Sequence, residues 1–150
     1  MSFNTNIKTL PDGLFFIGKK FKGGYELKNK FLHELKEEIN VRGKRVNTER
    51  MLSIFYDNPA DKTKQKLESF HAFESVGNNK FGDENFEIIE LQPGDYASVD
   101  YNEETKIDLA AAKLNGFKTD KNLRTNEVLY FITEYYDGKP VFFILEKIRE

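Results

Sequence analysis

The sequence predicts an α+β fold: tandem β-α-β-β repeats with pseudo-two-fold symmetry, a mainly antiparallel sheet, helices on one side and a central cleft. Three observations lead there. Two segments carry an apolar stripe with the period of a helix, several short apolar runs are bracketed by turn residues, and the order of elements in the first half recurs in the second. The expected repeats cover about residues 5–76 and 86–148 of a single domain of 150 residues.

Residues 7–21 read as an extended segment broken by the turn signal Pro11-Asp12-Gly13. The run Leu14-Phe15-Phe16-Ile17 suits a strand covered on both faces, ended by Lys22-Gly23-Gly24. Over residues 25–39 the period changes. Leu27, Phe31, Leu35 and Ile39 recur every fourth residue, with Leu32 beside them, which predicts an amphipathic helix. Residues 41–50 are polar and basic and read as a connection. Met51-Leu52-Ser53-Ile54-Phe55-Tyr56 reads as a strand stopped by Asp57-Asn58-Pro59. After a charged loop at 60–66, residues 67–76 alternate as a second strand, with Phe70, Ala72 and Val76 on one face and His71, Phe73 and Ser75 on the other. Gly77-Asn78-Asn79-Lys80 punctuates the middle of the chain.

The second half repeats this order. Residues 86–91 form a strand, Gln92-Pro93-Gly94-Asp95 a turn, and residues 96–101 the strand continued. Asn102 is a fair N-cap with Glu103 and Glu104 in the first turn. Ile107, Ala110, Ala111 and Leu114 make the buried stripe, and Asn115-Gly116 supplies a helix stop. Residues 128–135 and 141–148 are strands joined by the hairpin turn Tyr136-Asp137-Gly138-Lys139-Pro140. Leu10-Pro11-Asp12-Gly13-Leu14-Phe15 also matches Leu91-Gln92-Pro93-Gly94-Asp95-Tyr96 in spacing and character, which supports a duplicated unit.

Composition narrows the function. The 23 basic and 25 acidic side chains nearly cancel, so the chain lacks the long-range field of a nucleic-acid binder. With no cysteine there is neither a disulfide framework nor a thiolate ligand. No apolar run approaches the ~20 residues of a spanning helix, and the first residues lack a secretory pattern, so a cytoplasmic protein without membrane contact is the expectation. The 14 Phe and 7 Tyr suit either sheet packing or a ligand cleft.

Ser53-Ile54-Phe55-Tyr56-Asp57-Asn58-Pro59, followed by a charged loop and Leu67-Glu68-Ser69-Phe70, resembles the Gly-Ile-Tyr-Tyr-Asp-Asp-Pro block of GyrI-like effector-binding domains. Ile7-Lys8-Thr9-Leu10-Pro11 is similar to the family's first strand. Gly23-Gly24-Tyr25-Glu26 occupies the place of its Gly-Pro-Tyr-Glu helix entry, and Asn126-Glu127-Val128-Leu129-Tyr130 resembles its Phe-Glu-x-Tyr strand. The likeness runs over about residues 5–148. It implies a stand-alone domain that binds a small lipophilic ligand, cationic in many relatives and multidrug in character, between two halves. The alternatives that the resemblance leaves open for this chain are a small hydrolase with a cleft glutamate as general acid/base, and a protein-interaction module that modulates gyrase or another partner.

By the resemblance, Glu127 is the cleft carboxylate: a counter-ion for a bound cation, or the general acid/base of a hydrolase. Its neighbours Val128, Leu129, Tyr130 and Phe131 would raise its pKa by desolvation; a solvent-facing Glu on an edge strand is the alternative. Phe16, Phe55, Tyr96 and Tyr101 are candidate walls, or core residues. Leu129 stands where the family has its clamping Tyr, with Tyr130 pointing the other way. No metal or cofactor is implied: His33 falls on the polar face of the first helix, and His33 and His71 show no ligand spacing. Gly18-Lys19-Lys20-Phe21-Lys22-Gly23-Gly24 lacks the ending of a phosphate loop and reads as a turn. Lys62-Thr63-Lys64-Gln65-Lys66 is too short for a nucleic-acid patch.

Overall fold

The structure, a computed structural model, describes residues 3–56, 67–76 and 85–149. The turn at Asp57-Asn58-Pro59, the charged loop at 60–66 and the break at Gly77-Asn78-Asn79-Lys80 lie outside them. The elements are β1 (Asn4–Leu10), β2 (Leu14–Gly23), α1 (Lys28–Val41), β3 (Val46–Phe55), β4 (Leu67–Ser75), β5 (Glu87–Leu91), β6 (Gly94–Tyr101), α2 (Ile107–Asp120), β7 (Thr125–Tyr136) and β8 (Lys139–Ile148). A single 3-10 turn leads into each helix, Tyr25–Leu27 before α1 and Glu104–Lys106 before α2. All described strand pairs are antiparallel, which gives the expected α+β class.

The chain divides into two compact units, Met1–Gly13 with Gln92–Glu150, and Leu14–Leu91. In the first, the strand order is β1-β6-β8-β7; in the second it is β5-β2-β4-β3. The two orders are the same pattern. Each unit contains a strand, a helix and a hairpin in sequence, and its edge strand comes from the other half of the sequence. β5 and β6 are therefore not one continued strand: β5 pairs with β2, and β6 with β1. The matching turn segments of the sequence are where the chain passes between units, at 13/14 and 91/92.

In the Leu14–Leu91 unit, α1 buries Leu35 and Ile39 against Ile17, Phe73 and Phe86. Full burial of such a side chain is worth about 1.5–3 kcal/mol. Phe31 and Leu32 pack at the margin, whereas Leu27 at the helix start is exposed. In the other unit, α2 lays Ala110 and Leu114 on Ala97, Val99, Tyr101, Phe142 and Ile144.

Four local expectations are corrected. Gly18 to Gly23 is not a turn but part of β2, whose Gly18 lies opposite Ala72; a Cβ there would strike the His71 carbonyl oxygen and Ala72. Residues 46–50 are not a connection but the start of β3, whose polar residues flank an irregularity between Asn47 and Met51. Asn102 does not cap α2, since a 3-10 turn intervenes and no side chain caps the helix. Gly116 does not stop α2 either: the helix runs on to Asp120 because Phe117, one residue later, packs onto the core. The β7–β8 hairpin is as expected, with Asp137 (φ 51°) and Gly138 (φ 78°) forming a two-residue turn between Tyr136 and Lys139.

Candidate functional sites

Strand alternation gives each unit one face under its helix and one face without a helix. On β6, Ala97, Val99 and Tyr101 lie beneath α2. Tyr96, Ser98 and Asp100 therefore occupy the other face. Cross-strand register extends this face: Tyr130 of β7 lies opposite Leu145 of β8, Leu145 opposite Ser98, and Ser98 opposite Asn6 of β1. A parallel row holds Ile132, Phe143 and Asp100.

The chemistry of this surface is mixed. Lys8 Nζ sits 2.9 Å from Asp100 Oδ1 and 3.9 Å from the centre of the Phe143 ring. Lys147 Nζ lies 5.6 Å from the Tyr96 ring centre. The Tyr96 hydroxyl donates to the carbonyl of Gln92 at 2.6 Å. Burial raises the pKa of Tyr130, so its phenol remains protonated at neutral pH. Ser98 Oγ and Asn6 Oδ1 are buried and have no hydrogen-bond partner among the described residues. An unanswered buried oxygen costs about 1–3 kcal/mol, so these two atoms stand out as an unmet hydrogen-bonding demand among the described residues.

The Leu14–Leu91 unit has a different polar centre, under its helix. His71 of β4 is fully buried, with Nδ1 2.7 Å from Ser53 Oγ and Nε2 2.8 Å from Ser69 Oγ. Phe21, Phe31 and Phe55 surround the ring at centroid distances of 6.3, 5.9 and 5.9 Å. Burial, helped by the charge of Lys28, lowers its pKa to about 3. It is a neutral hydrogen-bonding group at physiological pH, one nitrogen donating and the other accepting. A base that weak is a poor proton acceptor for catalysis. His33, on the polar face of α1 as expected, is exposed and 3.1 Å from Glu37. Among the described residues no cluster of His, Asp and Glu is arranged to hold a metal ion. Among the described residues no helix is long and apolar enough to cross a membrane.

Within their own units, the six residues expected to line a site fall on different faces. Phe16 and Tyr96 are buried, each on the helix-free face of its own unit. Phe55 is on the helix side, edge-on to His71. Tyr101 stacks on Phe142 at 5.5 Å in the core beneath α2, where burial and then Glu104 raise its pKa. Leu129 packs against the same core.

Glu127 is exposed, not desolvated, and its backbone has φ 63°. The register of β7 shifts between Thr125 and Leu129: four steps of β7 match two of β8, and Glu127 lies on the extruded bulge. The cleft position expected from the resemblance gives way to an exposed one, the solvent-facing alternative that spacing also offered. The buried carboxylate of this unit is Glu146, which accepts both oxygens' hydrogen bonds from Lys118 Nζ at 2.8 Å and a further one from the Thr125 hydroxyl. The signal for it was present: Phe142, Ile144 and Glu146 share parity on β8, and Lys118 lies one turn beyond Leu114 on α2.

Neither a family model nor a curated protein sequence matches the chain. Its fold matches solved structures. The C-terminal domain of EcmrR aligns with TM-score 0.74 at 12% identity, over 100% of this chain and 99% of that one. The chain spans only 58% of EcmrR as solved in its DNA complex. SAV2435, bound to tetraphenylphosphonium, aligns with TM-score 0.58 at 12% identity, over 97% of this chain and 94% of that one. A hydrolase from Listeria innocua aligns with TM-score 0.58 at 10% identity, over 97% and 91%. These likenesses establish a shared fold.

Proposed function

We propose that this chain is a small-molecule-binding protein of the GyrI-like type, with a lipophilic ligand seated on the helix-free face built by β1, β6, β8 and β7. The observation that carries the reading is the pair of buried, unanswered oxygens, Ser98 Oγ and Asn6 Oδ1, set in a row with Leu145 and Tyr130 and next to Phe143. Apolar floor with a few convergent polar atoms is the ordinary composition of a ligand site. The structural similarity to SAV2435 bound to tetraphenylphosphonium supports ligand binding. It says less about charge. Lys8 and Lys147 already place ammonium groups against Phe143 and Tyr96, so aromatic faces that would attract a cationic ligand are taken. Of the residues expected from sequence, Tyr96 belongs to this proposed site, while the exposed Glu127 is poorly placed as counter-ion or as desolvated general acid.

The test is Ser98→Ala, measured with tetraphenylphosphonium and its neutral relative triphenylphosphine oxide. Removing an unpaired buried hydroxyl should raise the stability of the free protein by about 1 kcal/mol or more. Affinity for the phosphine oxide, whose oxygen can accept the Ser98 hydroxyl's hydrogen bond, should fall, and so should its thermal stabilisation, which is ~2.7 kcal/mol at a hundred times the dissociation constant. Tetraphenylphosphonium, with no polar atom to answer the hydroxyl, should keep its affinity. A variant that binds both compounds as the parent does would remove Ser98 from the site.

A further inference from the structure

The open sheet edge of the discontinuous unit carries a surface of its own. β1 is the edge strand there, and among the described residues no strand pairs with its outer side. Thr5 and Ile7 lie opposite Val99 and Ala97, so they belong to the face under α2, and Phe3 packs against the same core. An open groove of about 740 Å³ runs between strand and helix; its lining includes Phe3 and Thr5 of the strand side and Leu109, Lys113 and Asp120 of α2. Ile7 is 49% exposed and Leu109 51%, so apolar surface is left uncovered along this edge. From these residues we infer that the edge takes a second copy of this chain, β1 pairing antiparallel with its counterpart about a two-fold axis at Ile7. The inference does not rest on the ligand reading, which uses the helix-free face.

Register and edge chemistry favour a second copy. Ile7 is the middle residue of Asn4–Leu10, so pairing centred there uses the whole strand. It sets Ile7 against Ile7, Thr5 against Thr9, Asn6 against Lys8 and Asn4 against Leu10. Aliphatic and Thr–Thr pairs stabilise antiparallel sheets, and Lys8, the strand's only charge, meets no like charge. Sheets usually blunt an exposed edge with inward charges, proline or a bulge. β1 instead keeps an unbroken seven-residue register with β6, and its lysine is held on the helix-free face, 2.9 Å from Asp100.

Charge on the helix decides the occupant. Lys113 and Asp120 are both exposed and stand two turns apart on the stripe of α2 that faces β1. Neither has an ionic partner among the described residues. Asp120 is the last residue of α2, where the helix dipole disfavours a carboxylate. A two-fold axis normal to the sheet turns α2 antiparallel to its counterpart, stripe toward stripe. Lys113 of one protomer then faces Asp120 of its partner, twice over. Such a self-complementary patch is what a closed, isologous pair requires. An unrelated extended peptide would satisfy the strand edge but not both charges at this spacing.

The experiment is sedimentation equilibrium of the full chain in low salt, from about 1 µM to 1 mM, which should show monomer and dimer in exchange. Amides of β1 should exchange more slowly at the concentrated end, because their outer groups become paired. Lys113→Glu sets carboxylate against carboxylate and should weaken the dimer about tenfold, the order expected when two exposed ion pairs turn repulsive. Asp120→Lys should act alike, and the double variant Lys113→Glu/Asp120→Lys should recover the parent's affinity. Both positions are exposed, so these variants leave the fold intact. Ile7→Lys opposes two ammonium groups on the axis and should leave only monomer. A chain that stays monomeric up to about 1 mM would overturn the inference. So would a dimer indifferent to Ile7→Lys, or one that the double charge exchange fails to restore. A monomer whose β1 edge captures an unrelated extended peptide would overturn the choice of occupant.

Discussion

At the scale of single residues, two buried polar groups have opposite standing. Glu146 is fully answered by Lys118 and Thr125, while Ser98 is not answered by any described residue. His71 belongs with the first kind, and its pKa makes a measurable demand on stability. Folding lowers that pKa from 6.5 to about 3, so between these values the unfolded chain holds a proton that the native protein does not. Stability from this group is fully present above pH 6.5 and declines as pH falls toward 3, by at most about 1.4 kcal/mol per pH unit. His71→Gln keeps one donor and one acceptor for Ser53 and Ser69 but cannot titrate. The parent should be the more stable at pH 7, and its advantage should shrink on acidification through the window from 6.5 to 3. Urea denaturation of both proteins at several pH values checks this. A difference independent of pH would mean that His71 is not buried in its neutral form.

At the scale of elements, the helices and hairpins were legible and the irregular strands were not. Leu35 and Ile39, and Ala110 and Leu114, lie on the predicted stripes because a 3.6-residue period is a strong local signal. The corresponding strands β3 and β7 each carry a register shift soon after their helix, between Asn47 and Met51 and between Thr125 and Leu129. In β3 the Glu49 amide donates to Asn47 Oδ1 at 3.0 Å inside the irregular stretch. The β7 bulge, two residues in excess of its partner, leaves no unmistakable mark in sequence; Glu127, expected in a cleft by resemblance, sits on it and is exposed. Gly116 illustrates the converse: a strong stop signal overridden by packing of the next turn. A Cβ at Gly116 would meet nothing within 4 Å. Gly116→Ala should therefore stabilise the protein by about 0.5–1 kcal/mol, the helix-propensity difference between the residues. A thermal or chemical melt decides it; a destabilised variant would mean that α2 ends near Asn115, as its local sequence suggests.

At the scale of the whole molecule, the packing units and the order of the chain disagree, and folding should reveal it. Leu14–Leu91 is a continuous segment that contains every strand of its own unit. The other unit is discontinuous: it is complete only when β1 pairs with β6, bringing Asn4 opposite Asp100 and Leu10 opposite Gly94. The element order of each half could be read from the sequence, but the exchange of first strands could not, since partner choice between similar strands is decided by long-range register. Closing so long a loop costs entropy before any contact repays it, and non-local pairing forms slowly. Amides of β2 and β4 should thus gain protection before those of β1 and β6 in pulse-labelled hydrogen exchange during refolding. Deleting residues 1–10 sharpens the test, because it strips the edge partner from β6 and leaves the Leu14–Leu91 unit with all its strands. Exchange in β6 and β8 should then rise while β2, β3 and β4 keep their protection. Simultaneous protection of β1–β6 and β2–β4 in the parent, together with equal loss throughout the truncated chain, would show that the two units fold as one cooperative body despite their different chain connectivity.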